Sequence, residues 1–156
     1  MSIIQLNKHL KNNRDSMIEG SKCPNVILKM RQQEKCVDIV TDDLFKDKKV
    51  ILFSVPGAFV SDIHEKQLTC FEKYYDKLLS LGINEIYCIS VNDSCVMNAW
   101  AVHKKLTKVK LLPDGNGDFT RQMGMIIDKR HIGFGLRSWR YSTIIDNGVI
   151  EKWWQE

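Results

Sequence analysis

The sequence predicts an α/β sandwich built on a mixed β-sheet, and three observations carry that expectation. Two near-continuous apolar runs of strand length occur at residues 49–55 and 86–91. Each is followed by a segment with apolar residues at helical spacing, and the chain closes on two strand-like segments joined by Asn147-Gly148. Continuous apolar runs mark strands buried on both faces, while the Asn-Gly pair is a strong two-residue hairpin signal. Strands alternating with helices and then a hairpin give a mixed sheet with helical layers.

The elements follow in order. Residues 26–30 and 36–40 read as short strands joined by the polar turn Arg31 to Lys35, and Thr41-Asp42-Asp43 caps a brief helical turn with Leu44 and Phe45 facing inward. After the 49–55 strand, Ser61 or Asp62 caps a helix that runs to about Leu81 and stops at Gly82. Its residues Leu68, Phe71, Tyr75, Leu78 and Leu79 recur at helical spacing and form its core face. The strand at 86–91 leads through Asn92-Asp93-Ser94 into a helix at 94–104, then a strand at 109–112 and the turn Pro113-Asp114-Gly115-Asn116-Gly117. Three further strands are expected at 132–136, 141–146 and 149–153.

A chain of 156 residues with 44% apolar and 27% charged residues fits one globular domain, and no segment approaches a membrane span. The net charge of +4 is mild, and no stretch interleaves arginines with aromatics as a nucleic-acid platform would. The five cysteines, Cys23, Cys36, Cys70, Cys88 and Cys95, form no Cys-x-x-Cys pair, and the four histidines have no ligand spacing. No metal or other cofactor is expected. An odd cysteine count without a secretory signal fits a reducing compartment inside the cell, cytoplasm or mitochondrion.

Several short motifs occur in a distinctive order: Val55-Pro56-Gly57-Ala58-Phe59, Ser90-Val91-Asn92-Asp93, Trp100, Lys110-Leu111-Leu112, and Gly135-Leu136-Arg137-Ser138-Trp139-Arg140-Tyr141-Ser142. Together they resemble the peroxiredoxin family, in its type-5 (redoxin) branch, from about Glu19 to Lys152. The resemblance implies a thioredoxin-like fold, with a mixed central sheet flanked by helices and a C-terminal hairpin. It also implies a reaction in which a cysteine thiolate in the first turn of a helix attacks a peroxide. A threonine hydroxyl orients the peroxide, a proline shields the thiol, and a distant arginine stabilises negative charge. Carried over by position, the proline is Pro56 and the arginine is Arg140, while Val60 stands at the threonine position and Ile63 at the cysteine position. A branched alkane cannot attack a peroxide, because that chemistry needs a thiolate or an equivalent nucleophile.

The chain holds other thiols that could substitute. Cys70 lies seven residues past Ile63, about 10 Å along a helix axis and too far for the same pocket. Cys88 falls within an apolar strand, Cys23 precedes a proline in a loop, and Cys36 lies on an early strand. Cys95 is the remaining candidate nucleophile, since it falls in the first turn of its own helix, where thiol pKa values are lowered. Without a thiolate, Arg140 needs another anion. Asp62 supplies one in an internal ion pair, or an external anion binds between Arg140 and the helix start. His64 beside Glu65 reads either as an acid–base pair or as a surface pair on a helix, the second being far commoner.

Residues 1–16 precede the segment where the resemblance begins, with apolar Ile3, Ile4, Leu6 and Leu10 among Lys8, Lys11 and Arg14. They read as an organellar presequence or as a docking segment in which Ile3, Leu6 and Leu10 make the contacts; residues 17–156 form the domain. At the other end, Trp153 and Trp154 point to opposite faces of a strand, one as core and one as a potential contact anchor. The expected function is a peroxiredoxin-like protein without peroxidase chemistry, acting as a binding or structural subunit, as a homodimer or within a larger assembly. The alternative is a thiol peroxidase acting through Cys95, with thioredoxin or glutathione as reductant.

Overall fold

The computed structural model describes residues 19–156. The expected contacts Ile3, Leu6 and Leu10, and the extension to which they belong, lie outside the described residues.

The chain begins with a hairpin of β1 (Ile27–Gln32) and β2 (Lys35–Val40), closed by Gln33 and Glu34, both at positive φ. A short helix α1 (Thr41–Phe45) leads to β3 (Lys49–Ser54). Next come α2 (Asp62–Lys73), α3 (Tyr75–Ser80), β4 (Glu85–Ser90), α4 (Ser94–His103) and β5 (Lys110–Pro113). The C-terminal part holds α5 (Asp118–Gln122), β6 (Ile126–Asp128), β7 (Leu136–Ser138), β8 (Tyr141–Asp146) and β9 (Val149–Gln155). The central sheet runs β5-β4-β3-β8-β9, with β3, β4 and β5 parallel and β8 and β9 antiparallel to their neighbours.

The apolar runs of β3 and β4 divide by strand periodicity between two cores. Val50, Leu52, Tyr87 and Ile89 face one side, where they meet Leu28, Phe45, Phe119 and Met125. Ile51, Phe53, Ile86 and Cys88 face the other, where they meet Leu68, Met97 and Trp100 from α2 and α4. Each fully buried large side chain contributes roughly 1.5–3 kcal/mol of hydrophobic stabilisation. A mixed sheet with a core on each face is the thioredoxin-like arrangement that the sequence implied.

Three expected elements differ in detail. The helix expected to reach Leu81 is broken at Tyr74, whose φ of −96° and ψ of 10° lie outside the helical range. The break sits at two adjacent tyrosines of modest helix propensity, and beyond it the Tyr75 hydroxyl donates to Glu85 at 2.6 Å. The strand expected at 132–136 is a 3-10 turn, Arg130–Ile132, followed by Gly133 and Gly135 in left-handed conformations that no strand accommodates. Pairing there falls to β6 and β7. The helix α5 was absent from the sequence expectation; its first turn is held by the buried Asp114 carboxylate, which accepts from the Phe119 and Thr120 N–H groups.

Candidate active site

Parallel β3 and β4 end at the same edge of the sheet, so the loops after them meet. The β3–α2 loop, Val55 to Ser61, is tied to the β4–α4 loop by Ala58, whose N–H donates to Asn92 Oδ1 at 2.9 Å. It is tied to the β7 side by Arg137, which donates from Nη1 to the Pro56 carbonyl at 3.1 Å and from Nε to the Phe134 carbonyl at 2.8 Å. Gly57 is needed where this guanidinium crosses the loop: a Cβ there would lie 2.5 Å from Arg137 Nη1 and 2.6 Å from Val60 Cγ2. Phe59 turns the chain at φ 61° and lays its ring toward Trp100 and His103.

Ile63 is the second residue of α2 and is 61% exposed. Its side chain therefore stands at the helix start, open to solvent, in the position that the resemblance gives to the reacting cysteine. Val60 lies against Gly57 in the loop below it. The Ser61 side chain does not cap the helix.

Arg140 immediately precedes β8 and lies on the sheet face that α2 covers, in step with Ser142 and Ile144. Its Nη2 donates to Gln67 Oε1 at 3.3 Å, and Gln67 in turn donates from Nε2 to Ser142 Oγ at 3.4 Å. Its Nη1 pairs with Glu156 Oε2 at 2.7 Å. The expected Asp62 partner is thus replaced by a carboxylate from beyond the end of β9, which is held in place because the Glu156 N–H donates to the Arg140 carbonyl at 3.3 Å. The Arg140 Nε is buried and has no hydrogen-bond partner among the described residues.

His64 and Glu65 diverge rather than forming a surface pair. Glu65 accepts from Lys104 Nζ at 2.6 Å, whereas His64 is buried, with Nδ1 lacking a hydrogen-bond partner among the described residues. Burial and then the nearby Arg140 charge push the His64 pKa down, and Glu156 opposes them. The burial of His64 was not legible because helix spacing does not show which distant residues come near this face, here Arg140 and Glu156. The tie that Arg137 makes to the Pro56 loop was not foreseen; its signal in the sequence is its place in the run leading to Arg140.

The cysteines are dispersed. Cys23 is buried, its pKa pushed up to about 12 by desolvation and then by Asp42. Cys88 is fully enclosed and its thiol is pushed up strongly by burial. Cys36, Cys70 and Cys95 are exposed. Cys95 is the second residue of α4, but the Asp93 carboxylate already caps that helix, accepting from Val96 N–H at 3.0 Å. Trp153 stacks on Tyr141 with centroids 4.6 Å apart, while Trp154 is 54% exposed on the opposite face. Among the described residues no group of histidines, cysteines and carboxylates is arranged to hold a metal ion, and no helix is long and apolar enough to cross a membrane.

The thioredoxin-like fold, with a proline-glycine loop tied to Arg137 at the sheet edge, defines the structural class of the chain. A family model described as "Redoxin" matches residues 18–156, so the chain belongs to the redoxin, or peroxiredoxin, family. The chain is 55% identical over 119 residues to a peroxiredoxin of Rhizobium etli, covering 76% of this chain and 66% of that protein. It is 44% identical over 137 residues to the hybrid peroxiredoxin hyPrx5 of Haemophilus influenzae, covering 88% of this chain and 57% of that protein. It thus spans roughly three fifths of the length of these relatives. Among solved structures, reduced Prx3 from Vibrio vulnificus in complex with H2O2 is 37% identical with a TM-score of 0.83, over 90% of this chain and 85% of that one.

Proposed function

We propose that this chain is a peroxiredoxin-family domain that has exchanged peroxidase chemistry for a binding or structural role. Ile63 takes the place of the attacking cysteine and Val60 that of the orienting threonine. The observation that carries this reading is the partner of Arg140: its charge is met by the Glu156 carboxylate, where a peroxidase needs it beside a thiolate. The peroxiredoxin names of the relatives support the family and describe those proteins. Within the proposal, the domain acts as a homodimer or as a subunit of a larger assembly, in the cytoplasm or the mitochondrion.

Rapid mixing of the reduced protein with hydrogen peroxide, followed by intact mass and peptide mapping, tests it. Slow oxidation scattered over Cys36, Cys70 and Cys95 is expected. A second reading, peroxidase action through Cys95, is favoured by one observation: Cys95 is exposed near the start of α4, and the loop before it is bonded to the Pro56 loop through Asn92. Fast, stoichiometric oxidation at Cys95 that is lost in Cys95→Ser would replace the first reading with the second.

A further inference from the structure

Arg140 offers five N–H donors in a planar fork, and carboxylates bind such forks most tightly when both oxygens are engaged. Here the fork is half used. Glu156 meets Nη1 alone, Gln67 takes Nη2, and the Nε edge is buried without a partner among the described residues. Beside it, His64 Nδ1 is a second buried nitrogen in the same condition. Buried polar atoms are nearly always hydrogen-bonded, so two open ones beside one guanidinium mark a place for a further acceptor.

The carboxylate now present is the exposed partner of the pair. The Glu156 side chain is 64% exposed, whereas that of Arg140 is 22% exposed. Ion pairs made by exposed, long side chains are weak, so another carboxylate competes for the guanidinium. Near it stands an aromatic side chain: Trp154, two residues before Glu156, pairs with Ser142 across β8 and β9 and is 54% exposed. A carboxylate with an apolar body thus finds a cation and an aromatic side chain at one end of the sheet.

We propose that Arg140, His64 and Gln67 form a carboxylate-binding site, which Glu156 fills from within the chain and which a free monocarboxylate takes in its place. The inference rests on the reading of this pocket as a binding site rather than a reacting one. The two fail separately: fast oxidation of one cysteine by peroxide overturns that reading and leaves a carboxylate titration standing.

The test follows the Arg140 Nε–H resonance in 15N-edited spectra of the full chain while acetate or butyrate is added. Glu156→Gln removes the internal competitor, so it is expected to bind butyrate at least tenfold more tightly than the parent. Butyrate is expected to bind more tightly than acetate, because its propyl chain reaches Trp154. Arg140→Lys keeps the charge but loses the fork, and is expected to lose the tryptophan fluorescence response to butyrate; His64→Gln provides a milder variant whose butyrate affinity is expected to fall. Equal titration of Glu156→Gln and the parent would overturn the proposal. So would an undiminished fluorescence response in Arg140→Lys, or a shift produced equally by sodium chloride at the same ionic strength.

Discussion

Placing a thiol at position 63 tests the electrostatics of the helix start on which the proposed function rests. In Ile63→Cys the new sulfur sits at the second residue of a 12-residue helix, at a site already 61% exposed, so the exchange costs little stability. An unperturbed thiol with a pKa of about 8.5 is about 3% thiolate at pH 7. A helix N-terminus contributes roughly 1 kcal/mol or more toward an anion, which lowers that pKa by about one unit and raises the thiolate fraction to about 25%. Position 63 shares a helix face with Gln67, the residue that Arg140 touches, but the Arg140 charge is partly cancelled by Glu156. Releasing it in Ile63→Cys/Glu156→Gln lowers the pKa by about a further unit, to about 75% thiolate at pH 7. Thiolate absorbance near 240 nm, taken as a difference from a matching chain with Ile63 retained, reads both midpoints. A new thiol titrating at or above 8.5 in both variants would refute the electrostatic argument, because neither helix nor guanidinium would then reach the position.

Glu72 on α2 accepts from the N–H groups of Thr107, Lys108 and Val109 and from the Thr107 hydroxyl, at 2.7 to 3.1 Å for the shorter contact to each donor. Glu72→Ala is expected to lower stability by about 2–3 kcal/mol in urea titrations, the loop being wet enough for water to replace part of what is lost; a change under about 0.5 kcal/mol would mean the loop does not depend on it. His64, whose folded pKa is lowered by burial and then by Arg140, takes up its proton first in the unfolded chain. Stability is therefore complete above about pH 6.5 and falls as the pH drops below it. Urea midpoints measured from pH 8 to pH 5 are expected to slope less in His64→Gln than in the parent. Gly57→Ala is expected to cost about 1–2 kcal/mol, because the added methyl displaces Arg137 from the Pro56 carbonyl; a midpoint equal to that of the parent would mean Arg137 swings aside freely.

What was legible in the sequence was what depends on local pattern. The apolar runs of β3 and β4 and the Asn147-Gly148 turn specify strands and their pairing, because burial on two faces and left-handed turn geometry leave few residue choices. The motif around Pro56 marked the loop that the structure sets beside the β4–α4 loop at one sheet edge. The charge partner of Arg140 was not legible. Asp62 is near in sequence terms and already at the helix start, whereas Glu156 reaches Arg140 only because β9 runs antiparallel to β8 and extends to Gln155. The same distant pairing brings the Arg140 and Glu156 charges close enough to act on His64, which is buried although its residue type is usually found at the surface. The β6–β7 pair was missed because its strands are three residues each and are separated by glycines that a pattern search reads as loop.

On the proposed reading, the apolar Ile63 and the Arg140–Glu156 pair belong together. A guanidinium that is mostly enclosed needs an anion, and a chain without a thiolate at position 63 must find one elsewhere. Glu156 provides it and, through Gln67, fastens the end of the sheet to α2. The two partners are unequally exposed, so removing them has unequal consequences. Arg140→Met leaves Glu156 as a solvated carboxylate at small cost, whereas Glu156→Gln leaves an enclosed cation without its counter-charge. Glu156→Gln is therefore expected to be the more destabilising change, by about 1 kcal/mol, in parallel urea titrations at low salt. Added butyrate is expected to recover much of that loss in Glu156→Gln and none in Arg140→Met. If Arg140→Met proved the more damaging variant and butyrate moved neither midpoint, the guanidinium would be acting through its packing against α2, and the carboxylate would be incidental to it.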